Sequence, residues 1–164
     1  MAPTNEQLAA PIQGAANFTL LELTRSATAD KLGLTNLPDA EQQANLILLA
    51  QKALQPARNA LGRIVINSGL RGAALNKAVG GSDTSWHCKG CAADIEVPGK
   101  SLWEVFEWFY NNIPCVELIA ENLPNGWIHV AYSKDYTGKA VTKYKLVGQP
   151  VRKASFAEIQ QILK

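Results

Sequence analysis

Histidine occurs only twice in the 164 residues, and each copy stands where other ligand-forming residues could join it. His87 lies in Ser85-Trp86-His87-Cys88-Lys89-Gly90-Cys91-Ala92-Ala93-Asp94, which runs into the apolar Ile95-Glu96-Val97. His129 lies in Gly126-Trp127-Ile128-His129-Val130. A histidine, an aspartate seven residues on and a distant second histidine make a three-ligand metal set. Zinc accepts imidazole nitrogen and carboxylate oxygen, and a catalytic zinc uses three protein ligands with a fourth position open. Spacing alone leaves another reading open, in which both histidines are ordinary, satisfied side chains. Cys88-Lys89-Gly90-Cys91 adds a third, a redox pair or half of a zinc knuckle. A knuckle needs two more ligands, and the chain offers only Cys115 and the two histidines. A redox pair usually opens a helix after a strand, whereas Cys91 precedes a strand; the two cysteines read as incidental.

Ser85, His87, Gly90, Ala92 and Asp94, followed by Trp127 and His129, form Ser-x-His-x-x-Gly-x-Ala-x-Asp and then Trp-x-His. That order resembles the signature of the zinc D-Ala-D-Ala carboxypeptidase family, peptidoglycan peptidases that share a fold with the Hedgehog signalling domain. Ser68-Gly69-Leu70-Arg71, with Asn76, resembles the family's Ser-Gly-x-Arg element. The likeness spans Phe18 to Ser133. It implies a Zn²⁺ held by His87, Asp94 and His129, with Ser68, Arg71, Ser85 and Trp127 on the substrate side. Two imidazoles and one carboxylate leave a zinc site net positive, able to polarise a carbonyl and to supply hydroxide near neutral pH. A general base is still needed for the proton. Many relatives carry an acid three residues before the last histidine, but here that place is Gly126. Glu121, at the end of the preceding strand, is the expected base, and Glu117 the fallback. Arg71, the second expected catalytic residue, offers a fork of donors suited to a carboxylate or an oxyanion.

Periodicity and capping patterns indicate the elements that must position these residues. Residues 1–16 show no sustained period and read as a loose arm. Thr19 with Glu22 is a capping box that starts a short helix, and Leu32 to Pro38 reads as a connector. Pro38 to Leu61 has a helical pattern, with a kink or break expected at Pro56. Arg63 to Ser68 reads as a strand, Ala73 to Val79 as a short helix, and Gly81 to Ser85 as the loop delivering His87. Asp94 to Val97 is a strand, and Ser101 with Glu104 caps a helix reaching Asn112. Val116 to Glu121 and Trp127 to Tyr132 read as strands of a hairpin around Pro124. Alternation puts Trp127, His129 and Ala131 on one face. Ser155 with Glu158 caps a closing helix. Helices with short antiparallel strands make an α+β domain; the resemblance implies a Hedgehog/DD-peptidase-like fold, a small antiparallel sheet packed with helices and the zinc on the sheet.

Composition bounds the rest. The chain is 47% hydrophobic and 18% charged, as in a globular protein, and residues 17–164 read as a single domain. Its net charge of +2 gives no argument for nucleic acid, and no apolar run is long enough for a membrane span. From Lys134 onward seven Lys or Arg stand against Asp135 and Glu158. That basic segment reads as a strand and helix with a solvated face, or as an attractor for anionic wall polymer. The N-terminus shows no basic start followed by an apolar block. The expectation is a monomeric zinc peptidase that cuts peptidoglycan stem peptides, by carboxypeptidase or endopeptidase action. A phage lysis enzyme, made in the host cytoplasm and reaching the wall after membrane permeabilisation, fits that picture. The rival is a non-catalytic wall-binding module with a structural zinc.

Overall fold

The computed structural model describes residues 3–164. Where a loose arm is expected over 1–16, the described residues form α1 (Asn5–Ala9), β1 (Pro11–Ile12) and part of β2 (Ala15–Thr19). Thr4 and Gln7 make a reciprocal capping box for α1, and β1 pairs antiparallel with β2. Leu8, Ile12 and Ala15 are buried. These elements are too short to show a period, yet each places an apolar side chain in the core, which holds the segment down.

Thr19 caps α2 (Leu20–Thr24) through the Glu22 N–H, and Ser26 caps α3 (Ala27–Leu32), a helix the sequence reading passes over. Asp39 and Gln42 form the capping box of α4 (Ala40–Leu49). The helix continues through a π-helical segment, Ala50–Leu54, into α5 (Gln55–Leu61). Pro56 sits in the first turn of α5. It has no N–H for an i→i−4 bond, and the wider π turn ahead of it absorbs the mismatch without breaking the helix.

Next come β3 (Val65–Ser68), α6 (Ala73–Ala78), a 3₁₀ turn at Trp86–Lys89 and β4 (Ala92–Glu96). The chain closes with α7 (Leu102–Asn112), β5 (Glu117–Leu123), β6 (Trp127–Ala131), β7 (Val141–Leu146), β8 (Arg152–Lys153) and α8 (Phe156–Leu163). The main sheet has the order β3-β4-β6-β5-β7-β8. Its pairings are antiparallel except β5 with β7, which is parallel, because the chain leaving β6 passes the end of β5 and lays β7 on the far side.

Register decides what each face of the sheet carries. Ser68 pairs with Asp94, Asp94 with His129, His129 with Ile119, and Ile119 with Lys143. Paired residues share a face, so one row across five strands presents both metal-ligand types and a lysine. The alternate residues Ile95, Leu118, Ala120, Ile128 and Val130 join the core with Phe106 and Phe109 of α7. Both phenylalanines are fully buried. Truncating either to Ala would cost about 3–5 kcal/mol. The sheet can therefore hold a polar row on its other face because α7 anchors it from behind.

Candidate metal centre

His87 reaches the sheet from the 3₁₀ turn, which is pinned at several points. Gln42 Nε2 donates to the Cys88 carbonyl at 2.8 Å and Asn45 Nδ2 to the Lys89 carbonyl at 2.9 Å, tying the turn to α4. Gly90 closes it with φ +70°, and a Cβ there would lie 2.5 Å from the Gln42 carbonyl oxygen, so the turn can sit this close only with glycine. Ser85 lines the cleft and caps the turn by accepting from the His87 N–H at 3.3 Å. Asn76 is buried and donates to the Ser82 carbonyl at 2.9 Å, holding the loop that enters the turn.

The rings of His87 and His129 use different nitrogens. His87 Nδ1 lies 2.6 Å from the Gly69 carbonyl oxygen, so Nδ1 carries the proton and the Nε2 lone pair faces inward. Nε2 is 3.1 Å from Asp94 Oδ1 and 3.1 Å from His129 Nδ1, and His129 Nδ1 is 2.9 Å from the same Asp94 oxygen. All three residues are buried. A neutral imidazole lone pair aimed at a carboxylate oxygen in a buried place is repulsive unless a cation lies between them. Two donors on a tetrahedral zinc, each about 2.0–2.1 Å from it, stand about 3.3 Å apart. The triangle therefore suits Zn²⁺ after slight expansion, in both donor chemistry and size.

The other oxygen of Asp94 is taken by Arg71, whose NH2 group donates to Oδ2 at 3.0 Å. Arg71 is itself fixed through its backbone N–H, which donates to the His87 carbonyl at 3.2 Å. Asn36 steadies the same turn by donating to the Leu70 carbonyl at 2.9 Å and accepting from the Gly72 N–H at 2.8 Å. The expected substrate-facing arginine thus also orients a metal ligand.

Glu117 and Glu121 both point into the cleft from β5, with Ile119 between them. Glu117 Oε2 is ion-paired with Lys143, and its Oε1 lies 3.4 Å from His129 Nε2, a buried nitrogen with no hydrogen-bond partner among the described residues. Among the described residues Glu121 makes one ion-pair contact, with Lys145 at 3.9 Å. Their protonation diverges accordingly. Burial pushes the Glu117 carboxyl up, but His129 and Lys143 outweigh it and hold it at about 2. Burial and the negative charge of Asp94 push Glu121 above the usual carboxylate range. Burial lowers His87, whereas in His129 the carboxylates of Asp94 and Glu117 overcome burial and hold the ring at about 9. Burial alone would raise Asp94, yet the two imidazoles keep it ionised far below its ordinary value.

The cleft above these residues has a volume of about 470 Å³ and is lined by Arg71, Ser85, His87, Glu117, Glu121 and His129, among others. Ser68 is not on that wall; it faces a neighbouring depression with Asn67 and Asp94. Trp127 is paired with Glu121 across the hairpin but does not line the cleft. Gly126, where many relatives carry an acid, leaves no room for one: a Cβ there would lie 1.6 Å from the Glu121 carbonyl oxygen. Cys88, Cys91 and Cys115 are free thiols, and burial raises all three. Among the described residues the metal-competent group contains no cysteine.

The sequence leaves Lys143 and Lys145 to a solvated face or to attraction of anionic wall polymer; in the structure they line the cleft. Their period-two spacing in Val-Thr-Lys-Tyr-Lys-Leu marks a shared face, while which face it is depends on the parallel pairing of β7 with β5. A family model described as Peptidase M15 matches residues 16–131, more than two thirds of the chain. No curated protein matches the chain. The matched span includes His87, Asp94, His129, Arg71, Glu117 and Glu121, and it ends before β7.

Proposed function

The chain belongs to the peptidase M15 family, zinc metallopeptidases that act on peptidoglycan peptides, and from that premise we propose that it hydrolyses an amide bond of the peptidoglycan stem peptide. The observation that carries this reading is the convergence of three buried donors, two of which, His87 and His129, line an open cleft. A structural zinc is closed by four protein ligands, whereas three ligands leave a place for chemistry. Zinc bound there polarises a carbonyl and makes hydroxide available near neutral pH.

The chain's own residues supply the rest. Gly69 fixes the His87 tautomer, and Arg71 holds Oδ2 of Asp94 so that Oδ1 turns inward. Glu117, beside His129 Nε2, steadies that ring, as an outer carboxylate does for a ligating histidine. Glu121 is then the general base, taking a proton from water and returning it to the leaving amine. It lies on the cleft wall without a hydrogen-bonded cation, whereas Glu117 is committed to Lys143. A wall-lysis role, as in a phage lysis enzyme that meets its substrate after membrane permeabilisation, is part of the same proposal.

Mass spectrometry of defined muropeptides incubated with the zinc-loaded protein tests the reading. New fragments with zinc, and none with His87→Ala, are expected, and the variant should also lose stoichiometric metal. Intact muropeptides after incubation with zinc-loaded wild type would instead leave a wall-binding module.

A further inference from the structure

The segment beyond the family match supplies part of the cleft wall. Lys143, Lys145 and Val151 line the same cleft as His87 and His129. Lys143 is ion-paired with Glu117 and Arg71 with Asp94. Lys145 differs: its Nζ stands 3.9 Å from Glu121 Oε2, no side-chain hydrogen bond holds it among the described residues, and its side chain is 41% exposed. Two exposed apolar side chains, Val79 and Val151, line the cleft as well. Arg71, Lys143 and Lys145 offset the charges of Asp94, Glu117 and Glu121, so a bound dication leaves the cleft net positive.

We propose that Lys145 is a specificity residue that binds a free carboxylate of the peptide in the cleft, while Val79 and Val151 contact the peptide's apolar flank. The inference rests on the peptidase reading for its substrate class. An ammonium on a flexible four-carbon stem reaches a carboxylate from several approaches, and the charged hydrogen bond is lost when that carboxylate becomes an amide. Arg71 and Lys143 each hydrogen-bond a protein carboxylate, whereas Lys145 stands off Glu121 at 3.9 Å, beyond hydrogen-bond reach, and can turn to a ligand. Because β7 lies parallel to β5, the bound carboxylate would sit beside Glu121 and therefore near the bond being cut.

Stopped-flow protein fluorescence reads binding before turnover, with Trp86 on the cleft wall as a reporter. The probes are L-Ala-γ-D-Glu-L-Lys-D-Ala and two versions in which either the D-Glu α-carboxylate or the terminal carboxylate is an amide. Zinc-loaded wild type should bind one of the amides about tenfold more weakly than the parent. Lys145→Gln should lose affinity for the parent by a similar factor and no longer distinguish it from that amide, and Lys145→Arg should keep the discrimination. If wild type binds all three alike, binds none, or Lys145→Gln discriminates as wild type does, the inference is overturned. Mass spectrometry of the same mixtures separates the two claims. Lys145-dependent discrimination without cleavage sinks the peptidase reading alone, and cleavage without such discrimination sinks this inference alone.

Discussion

His87 and His129 meet Asp94 through different ring nitrogens, and their outer nitrogens differ too: the Gly69 carbonyl is hydrogen-bonded to that of His87, whereas the Glu117 carboxylate stands 3.4 Å from that of His129. In the proposed reaction that asymmetry would give the two glutamates separate tasks. Glu121→Gln keeps the size of the side chain and removes the proton acceptor, so zinc should stay bound while turnover falls by about 10²–10⁴. Glu117→Gln should instead weaken zinc binding by about 10–100-fold, through the ring it steadies. Zinc titration and turnover at saturating zinc separate the two, and a dead Glu117→Gln beside a near wild-type Glu121→Gln would move the base to Glu117. The ligand residues were readable because histidine is scarce and their order matches a known signature. The sequence names Glu121 as the expected base with Glu117 as the fallback, but not the ion pair that sets Glu117 apart, because Lys143 reaches Glu117 from a strand 26 positions away.

Among the elements, short capped helices and the central strands were legible from local chemistry: Ser101 and Ser155 open α7 and α8 through full capping boxes. The N-terminal elements and α3 were not, since five- and six-residue segments show little periodicity and are held by tertiary burial of Leu8, Ile12 and Ala29. The parallel pairing of β5 and β7 was equally hidden, being a long-range contact with no turn to announce it. That pairing has a titratable lock, the Glu117–Lys143 ion pair across the two strands. His129 first and Lys143 second overcome burial and depress the folded-state carboxyl from 4.5 to about 2, so the contribution of Glu117 is present above the unfolded value and is lost as pH falls through the folded one. In metal-free protein, Glu117→Gln should be less stable than wild type by on the order of 1–2 kcal/mol near pH 6. The gap should shrink below pH 4.5 and close toward pH 2. Denaturant melts at stepped pH measure it, and a gap that stays constant to acid would show that Glu117 contributes nothing through its charge, to Lys143 or to His129.

Over the whole molecule, charge is unevenly placed, and the fold sorts it further. Residues 134–164 hold seven cations and two acids, so the rest of the chain is net negative. Composition alone cannot divide those cations, but the structure does. Lys143 and Lys145 face the cleft, while Lys139 and Lys164 lie over the rings of Tyr110 and Trp103. Arg152 and Lys153 are exposed on β8, the edge strand of the sheet. Cations on an edge strand discourage edge-to-edge pairing with another chain, which is sufficient reason for their presence. The same pair would also draw the protein to anionic wall polymer, an attraction screened over about 8 Å at physiological salt. Arg152→Gln with Lys153→Gln should therefore reduce co-sedimentation with intact walls at low salt and leave turnover of a small soluble peptide unchanged. Lys143→Gln with Lys145→Gln should reduce both, because those side chains act inside the cleft. If wild-type activity on walls and on the small peptide responds equally to salt, the exposed cations serve only as a soluble edge, and the route to the wall owes nothing to them.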